Sequence, residues 1–576
     1  MNRQGGCTSL FLILNYKLNF IVLSFMDIGE SIRAGVKWLV IGNVGSRVLE
    51  FIFGVMLARL LVPEDFGTIV TVQVFTGFVG MLAGGGMGQA LIRAKQADNN
   101  DFNAVFTLQL AFSIPIYLGF YFIAPWFAVF FDNPLYEALL PVSALMFFMR
   151  PISSAYSSWL AREMQFKKKS VISVLTGVVT GLSSVIMAWY GMGVWSLTLA
   201  GLIGGGLGNL LLSWVTPLKL KLNFDVAIMR KHGSYGSKIV ANDFFARMRR
   251  ESLKLILSKL AGPAFLGLFN KAESLHNLPY LMLGQPVAQP VFRGMSKIQD
   301  DLDQTKYMFY RVITLLMAYI LPFYVGLWWV AEPFIGVVYG DKWLPAAEPL
   351  KILSMAGFFY IIIRPSSVLL MAQNKLRQEI IALIVILVFT LTACFIGLDW
   401  GLEGVSWAFL ASQVFTAIYF YILAYQTLST RIRDLFKAIA PGLQLNTVLF
   451  LVLYITDYLS GELLINSPAL YLVLMVAIGG VTYLSCFLLF KIPALESEKT
   501  RILDKFNGGL KKGKRLLQRF VLISVKLIFS LVLLSALFLG LMTLLKNYNS
   551  SKGFEEYNFI PLQEIHEFFD VDEQGT

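Results

Sequence analysis

The sequence predicts an all-α polytopic membrane protein with two six-helix lobes, related by a parallel pseudo-twofold repeat, and two or three additional C-terminal transmembrane helices. Hydrophobic residues make up 56% of the 576-residue chain and charged residues only 15%, whereas soluble domains carry about 25% charged residues. Apolar runs close to the ~20 residues that a bilayer requires recur along the chain. Similar segments also recur at a spacing of 200 residues or slightly more. These observations exclude a large soluble protein.

The chain begins with an apolar leader, residues 1–25, that ends immediately before Met26. Its apolar stretch is interrupted by Lys17 and lacks the small-residue cleavage site of a secretory signal. An extra membrane segment is one interpretation of it. Because MDIGESIRAGVKW, starting at Met26, forms a compact basic and amphipathic entry to the first span, we expect translation to begin at Met26.

Apolar spans then follow one another along most of the chain, and each is near the length that a bilayer requires. The fourteen predicted spans lie at about 36–58, 66–92, 104–131, 135–160, 170–190, 194–216, 234–260, 264–292, 306–331, 346–371, 378–398, 403–427, 437–459 and 468–490. A fifteenth apolar segment lies at about 521–545, after a basic segment. If it crosses the membrane, the acidic tail lies outside; if it lies on the membrane surface, the tail stays inside.

The charges in the loops predict the orientation. Basic residues follow even-numbered spans, as in the loop 217–233, and acidic residues such as Asp132 and Asp341 lie in the opposite loops. The positive-inside rule therefore places the Met26 end and the basic loops in the cytoplasm. The net charge of +12 is spread over these short loops, so it indicates membrane lipids rather than nucleic acid as the partner.

An internal repeat predicts the domain organisation. An offset of 200 residues aligns LARLLVPEDFG (57–67) with LSKLAGPAFLG (257–267) and pairs Arg47 with Arg247, and a slightly larger offset pairs Arg150 with Arg364. An even number of spans separates equivalent points, so both lobes have the same orientation and a substrate site is expected between them. The predicted parts are the leader 1–25, an N-lobe of spans one to six at 26–233, a C-lobe of spans seven to twelve at 234–432, spans thirteen and fourteen at 433–492, a basic cytoplasmic linker at 493–520, an extra transmembrane helix at 521–546 and an acidic tail at 547–576.

A charged stripe crosses the seventh span, IVANDFFARMRRESLKLILSKL at 239–260. On a helix, Asp243, Arg247, Arg250, Glu251 and Lys254 share one face. A charge near the membrane centre costs about 3 kcal/mol on insertion scales and ~10 or more on others, so such residues face a bundle interior or a watery cavity. The stripe therefore predicts a cationic, water-filled cavity that the other helices expose alternately to each side.

Other kinds of site have little support in the sequence. The three cysteines and three histidines are scattered, without the spacing of a disulfide framework or a metal site. GGGMG at 84–88 and GGGLG at 204–208 lie inside apolar spans, where close helix packing explains them better than nucleotide binding. We therefore expect no catalytic residues, no metal and no cofactor. The energy source is then either an ion gradient, through coupling to H⁺ or Na⁺, or the gradient of the substrate itself.

The chain resembles the Wzx-like polysaccharide flippases of the colanic-acid exporter type, within the multidrug/oligosaccharidyl-lipid/polysaccharide exporter superfamily. The resemblance covers roughly residues 30–490 and rests on GVKWLVIGNVGSRVLEFIFGVMLARLLVPEDFG (35–67), GMGQALIRAKQ (86–96), RPISSAYSSWLAREMQFKKKS (150–170) and GMGVWSLTLAG (191–201). It implies export of undecaprenyl-pyrophosphate-linked oligosaccharide units across the bacterial inner membrane. It does not extend to the leader, the basic segment with the fifteenth span, or the acidic tail.

Guanidinium groups bind phosphate oxygens bidentately, so the arginines of the spans are candidates for the headgroup of such a substrate. Those of the fourth and tenth spans each precede proline, near a predicted outer end. The candidate cavity residues are Arg47, Arg150, Arg247, Arg250, Lys254 and Arg364. The alternative is that they pair with nearby carboxylates. The carboxylates that are candidates for ion coupling or ion pairing are Glu50, Asp243, Glu251 and Glu273.

Three functions are compatible with this pattern to different degrees. The first is a flippase for lipid-linked oligosaccharides, with a polysaccharide polymerase and glycosyltransferases as partners. The second is a cation-coupled multidrug exporter of the same superfamily, whose cavity is expected to present acidic and aromatic groups rather than arginines. The third is a membrane-embedded enzyme acting on glycolipids, which requires a histidine or carboxylate constellation that the short loops lack.

Overall fold

The computed structural model describes residues 30–84, 86–94, 97–490 and 492–500. Within these ranges some side chains are not described, among them those of Asp243 and Arg250. The leader 1–25, most of the basic linker, the predicted fifteenth span and the acidic tail lie outside the described residues. The chain divides into two compact units, Met1–Ala494 and Leu495–Thr576, and the fold and sites below belong to the first.

The described residues form helices joined by short loops, which confirms the predicted all-α class. The helices of the first part are α1 (Glu30–Leu60), α2 (Pro63–Gly84), α3 (Met87–Arg93), α4 (Asn99–Phe130), α5 (Leu135–Ala144), α6 (Met146–Arg162), α7 (Phe166–Trp189) and α8 (Trp195–Val215). Those of the second part are α9 (Val226–Leu260), α10 (Gly262–Pro279), α11 (Gln285–Lys297), α12 (Leu302–Tyr319), α13 (Leu321–Tyr339), α14 (Ala347–Ala372), α15 (Leu376–Gly397) and α16 (Gly401–Leu428). They are followed by α17 (Ile432–Asn466) and α18 (Pro468–Leu489).

Hydropathy along these helices identifies a multi-pass membrane protein. Among the described residues, nine helical segments are long and apolar enough to cross a membrane. They cover ten of the fourteen predicted spans, because the segment Arg377–Leu428 contains two of them. The predicted spans outside this set are the first, second, seventh and eighth, which correspond to α1, α2, α9 and α10.

Each half of the chain has its own packing centre. In the first half, α4 packs on α5 and α6, around a core that includes Phe120, Phe127, Tyr136 and Phe147. In the second half, α14 packs on α13 and α16. The helices α17 and α18 pack on each other and against α12 and α13. The division into two repeated lobes remains a prediction, although the order of these contacts is compatible with it.

Helix α9 packs differently from α1, its counterpart in the first half. In the first half, α1 packs along α7. The helix that starts the second half, α9, makes few contacts with α15, although α15 has the same place in chain order as α7. It packs instead on α2, α3 and α4 as well as on α10. The charged helix at the centre of the chain thus lies mainly against the first half.

Candidate functional site

The start of α9 is fixed by its N-cap and by a contact with α4. The side chain of Asp225, the N-cap, accepts hydrogen bonds from the backbone N–H groups of Ala227 (2.9 Å) and Ile228 (3.1 Å). Near this end, Nε2 of buried His232 lies 2.6 Å from Oδ1 of Asp101 in α4. At ~1.5 Å rise per residue, Arg247 lies about 20 Å along the helix from Leu260.

Two glycines on α2 receive arginine side chains. Gly77 and Gly80 are three residues apart, so they lie on the same face of the helix. A Cβ at Gly77 would overlap the guanidinium of Arg247 from α9, and a Cβ at Gly80 would overlap that of Arg150 from α6. We call Gly77 and Gly80 the glycine notch. It brings two cations from distant parts of the sequence to one place.

The two arginines at the notch have little to compensate their charge. The guanidinium groups are close enough to repel each other. In the part of the chain that the structure describes, neither forms a salt bridge, and the buried Nε of Arg247 has no hydrogen-bond partner. Arg150 lies over the ring of Phe147, with 5.4 Å between Cζ and the ring centroid. The pair is therefore a candidate site for a multiply charged anion.

The position of Arg150 corrects one expectation. We expected it near the outer end of its span, because it precedes a proline. It lies instead near the middle of the apolar segment Leu135–Arg162, which α5 and α6 form together with only Leu145 between them. Arg150 and Arg247 lie at a similar level along α2, because each contacts one glycine of the notch.

Arg47 lies elsewhere. Its Nη1 is 2.8 Å from Oε2 of Glu50, one helical turn away on α1, and the two side chains are 57% and 62% exposed. Gly45, two residues before it, faces Val174 of α7, so Arg47 points away from α7. Arg150 thus contacts the glycine notch beside Arg247, whereas Arg47 pairs with Glu50 on its own helix.

Lys254 is neutralised by carboxylates from two helices. Its Nζ lies 3.1 Å from Oε2 of Glu251 on α9 and 3.4 Å from Oε2 of Glu273 on α10. All three side chains are largely buried. We call Glu251, Lys254 and Glu273 the α9–α10 triad. Its formal charge is −1 with the carboxylates ionised, so Lys254 is less available to an anion than Arg247.

Arg364 lies among aromatic rings. Its Cζ is 4.4 Å from the ring centroid of Tyr360, one turn earlier on α14, and 5.3 Å from that of Tyr280. Its Nη2 also donates a hydrogen bond to the hydroxyl of Tyr360. Tyr280 starts a short π-helical segment, Tyr280–Gly284, after α10. Like Arg150, Arg364 lies away from the predicted outer end of its span: it is nearer to Ala372 than to the start of α14.

Sequence reasoning missed the glycine notch. The signal was present as two glycines at helical spacing in an apolar span, a pattern that allows close approach of a neighbouring helix or side chain. Which side chain fills the notch could not be read from the sequence. Among the described residues, no group of three or more histidine, cysteine, aspartate or glutamate side chains is arranged to hold a metal ion.

An open surface groove of about 780 Å³ lies between α17 and α18. Its lining is mostly apolar, with Gln444 and Thr447 as polar members, and the other lining residues are Ala440, Leu443, Val448, Leu489, Phe490 and Ile492.

Comparison with known proteins identifies a family and several relatives of this chain. A family model described as "Polysaccharide biosynthesis protein" matches residues 56–348. The chain is 25% identical to the succinoglycan biosynthesis transport protein ExoT of Rhizobium meliloti over 474 residues, which cover 80% of this chain and 93% of that protein. It is 21% identical to the lipopolysaccharide biosynthesis protein WzxC of Escherichia coli, over 69% of this chain and 82% of that protein.

Solved structures share the fold. The lipid II flippase MurJ in an inward closed conformation matches with a TM-score of 0.61 and 17% identity, over 78% of this chain and 98% of that chain. An inward-facing multidrug resistance transporter of the MATE family, in the MOP superfamily, matches with a TM-score of 0.54 and 14% identity, over 67% of this chain and 94% of that chain.

Proposed function

This chain belongs to the polysaccharide biosynthesis protein family, and we propose that it is a flippase that moves undecaprenyl-pyrophosphate-linked oligosaccharide units across the bacterial inner membrane for the synthesis of a surface polysaccharide. The names of its relatives support transport of such material: one is a succinoglycan transport protein and one a lipopolysaccharide biosynthesis protein. A lipid II flippase shares the fold.

The observation that carries this proposal is the pair of arginines at the glycine notch. Two guanidinium groups at membrane depth without a described salt bridge repel each other and each costs about 3 kcal/mol on insertion scales. A pyrophosphate offers each of them oxygen atoms in the geometry that a guanidinium fork binds bidentately. Binding such an anion removes the repulsion, so the pair favours a pyrophosphate headgroup over a neutral one.

The same pair disfavours a multidrug exporter. Organic cations would be repelled by Arg150 and Arg247, and a site for them is expected to offer carboxylates and aromatic rings. The likeness to a multidrug transporter at 14% identity concerns the fold alone.

The same proposal assigns a route to the substrate. The headgroup enters from the cytoplasm between the halves and is held at the notch, while the prenyl chain stays in lipid, guided by the groove between α17 and α18. The α9–α10 triad, with a net negative charge, is the place where H⁺ or Na⁺ would couple to transport. Glycosyltransferases supply the substrate on the cytoplasmic side, and a polymerase uses it on the other.

Depletion of the protein in its native host tests the function. We expect undecaprenyl-linked repeat units to accumulate on the cytoplasmic leaflet and surface polysaccharide to fall. Re-expression of Arg150→Ala or Arg247→Ala should lower the rate of export at least tenfold at equal membrane level, since each removes a contact to the phosphates. Arg433→Ala, at an exposed position in the first turn of α17, is the control and should restore export. Unchanged polysaccharide without accumulation after depletion would contradict the proposal.

A further inference from the structure

The ends of α2 and α10 meet in a reciprocal backbone contact. A Cβ added at Gly67 would overlap the carbonyl of Pro263, and a Cβ added at Gly267 would overlap the carbonyl of Pro63. These are the residues that the offset of 200 pairs with each other. A contact in which each partner offers the same pair of residues is typical of a twofold axis. Only glycine at both positions lets the two helix ends approach this closely.

Next to this contact, the ammonium of Lys271 is surrounded by three aromatic rings. Its Nζ lies 4.6 Å from the ring centroid of Phe66, 4.5 Å from that of Tyr339 and 4.7 Å from that of Trp343. We call these three residues the Lys271 cage. Among the described residues, Lys271 forms no salt bridge, so the ring faces are what stabilise its charge.

The cage is built from both halves of the chain. Lys271, Tyr339 and Trp343 belong to the second half, whereas Phe66 lies on α2 in the first half and contacts Trp343 edge to face, with 5.2 Å between ring centroids. Gly340, with a φ of 96°, makes the turn after α13 that sets the Trp343 ring in place. Separation of the halves would remove Phe66 from the cage.

Hydrogen bonds close the same end of the molecule. Trp343 is completely buried, and its Nε1 donates to the carbonyl of Ala58 at 2.7 Å. Lys342 Nζ donates to the carbonyl of Arg59 at 2.9 Å, and Nε of Arg59 donates to the carbonyl of Val338 at 3.0 Å. These bonds join the end of α1 to the last turn of α13 and to the segment that follows it. This end carries Asp341 and the acidic start of α2, which the charge pattern predicts to be extracytoplasmic.

We propose that this assembly is the extracytoplasmic gate of the protein, closed in this structure, and that Lys271 in its cage is the latch that holds the gate shut. Opening the gate withdraws Phe66 from Lys271 and parts the Gly67 and Gly267 contacts. The inference rests on the proposed transport function for its purpose, but the closure itself can be measured without a transport assay.

Cysteine labelling in intact cells tests the latch. Thr71, one turn below Gly67, is completely buried and its Oγ1 lies 2.6 Å from Oγ of Ser258. With Cys7, Cys394 and Cys486 replaced by serine, Thr71→Cys should react slowly with a membrane-impermeant maleimide added outside. Adding Lys271→Met should raise the labelling rate about tenfold, because the cation–π contacts are lost. Phe66→Leu should raise it less, since two rings of the cage remain.

Lys351→Met is the matched control. Lys351 forms salt bridges with Glu348 (2.9 Å) and Glu332 (3.6 Å), all within the second half, so its loss should leave the labelling rate unchanged. Equal labelling in the Lys271→Met and Lys351→Met backgrounds would overturn the proposal. So would rapid labelling of Thr71→Cys when Lys271 is intact.

A disulfide between Thr71→Cys and Ser258→Cys provides a second measurement that needs no labelling. Oxidation should lock the gate and lower the rate of export at least tenfold, and a reductant should restore that rate. Export unaffected by a complete cross-link would contradict the gate. If the labelling and cross-linking behave as expected but depletion causes no accumulation of lipid-linked units, the gate stands and the proposed substrate is wrong.

Discussion

Two arginines, each followed by proline, have contrasting surroundings in the two halves of the molecule. Arg150 on α6 lies at the glycine notch beside a second cation, Arg247. Arg364 on α14 lies between the rings of Tyr280 and Tyr360 and donates a hydrogen bond to the latter. The sequence pairs these two arginines, but their neighbours differ. Arg364 is stabilised by rings of its own half, whereas Arg150 and Arg247 form no salt bridge among the described side chains and are the arginines that we propose to bind an anion.

Replacing both notch arginines should produce the largest loss of export. Arg150→Ala with Arg247→Ala removes the whole anion site, and we expect export to fall more than 100-fold while the amount of protein in the membrane stays the same. The measurement is the ratio of lipid-linked repeat units on the two leaflets. Lysine at both positions keeps the charge but not the bidentate geometry, so it should recover only part of the activity.

Normal export by the double alanine variant would mean that the notch arginines are no more important for transport than Arg364. The corresponding change at Arg364 is the matched comparison, since it removes one arginine from the same dipeptide without touching the notch.

Filling the notch should have the next largest effect. Gly77→Ala places a methyl group where the Arg247 guanidinium lies, and we expect about a tenfold loss of export because the cation must move. Gly119→Ala on α4 is the control: it adds the same methyl group in open space and raises helix propensity. Equal export by the two variants would mean that the position of Arg247 against α2 is unimportant.

Arg364→Ala should affect stability more than transport. It removes contacts to two rings and a hydrogen bond, so we expect the Tm of the detergent-solubilised protein to fall by about 2–4 °C, with export per molecule reduced less than threefold. Thermal unfolding, monitored by size-exclusion chromatography, measures the Tm. The ratio of lipid-linked repeat units on the two leaflets measures export. A greater loss of export than that of Arg150→Ala would reverse the comparison.

Arg47→Ala should have the smallest effect. Its charge is already compensated by Glu50 and the pair is exposed, and exposed ion pairs contribute about 0–1 kcal/mol. We expect a change in export of less than about threefold, with no change in Tm beyond 1 °C. A loss comparable to that of Arg247→Ala would place Arg47 with the notch arginines in the working protein.

The class of fold was available from the sequence, and part of the site was as well. Hydropathy and the low share of charged residues predicted a helical membrane protein, which the structure confirms. The charged face of the seventh span predicted that Arg247 and Lys254 lie inside the bundle, and both are partly or largely buried. The orientation and the lobe boundaries stay predictions.

Hydrophobic content and helical periodicity are summed over neighbouring residues, so the sequence by itself determined the helical membrane class and most of the apolar segments, and it predicted which face of the central helix is charged. The partners of each charge were decided by tertiary packing. Gly77 and Arg247 are far apart in sequence, and Lys254 and Glu273 lie on consecutive helices. Both pairs meet because α9 lies against α2 and α10. Whether a buried cation is neutralised, caged or left for a ligand depends on the side chain that the opposing helix presents at the same depth.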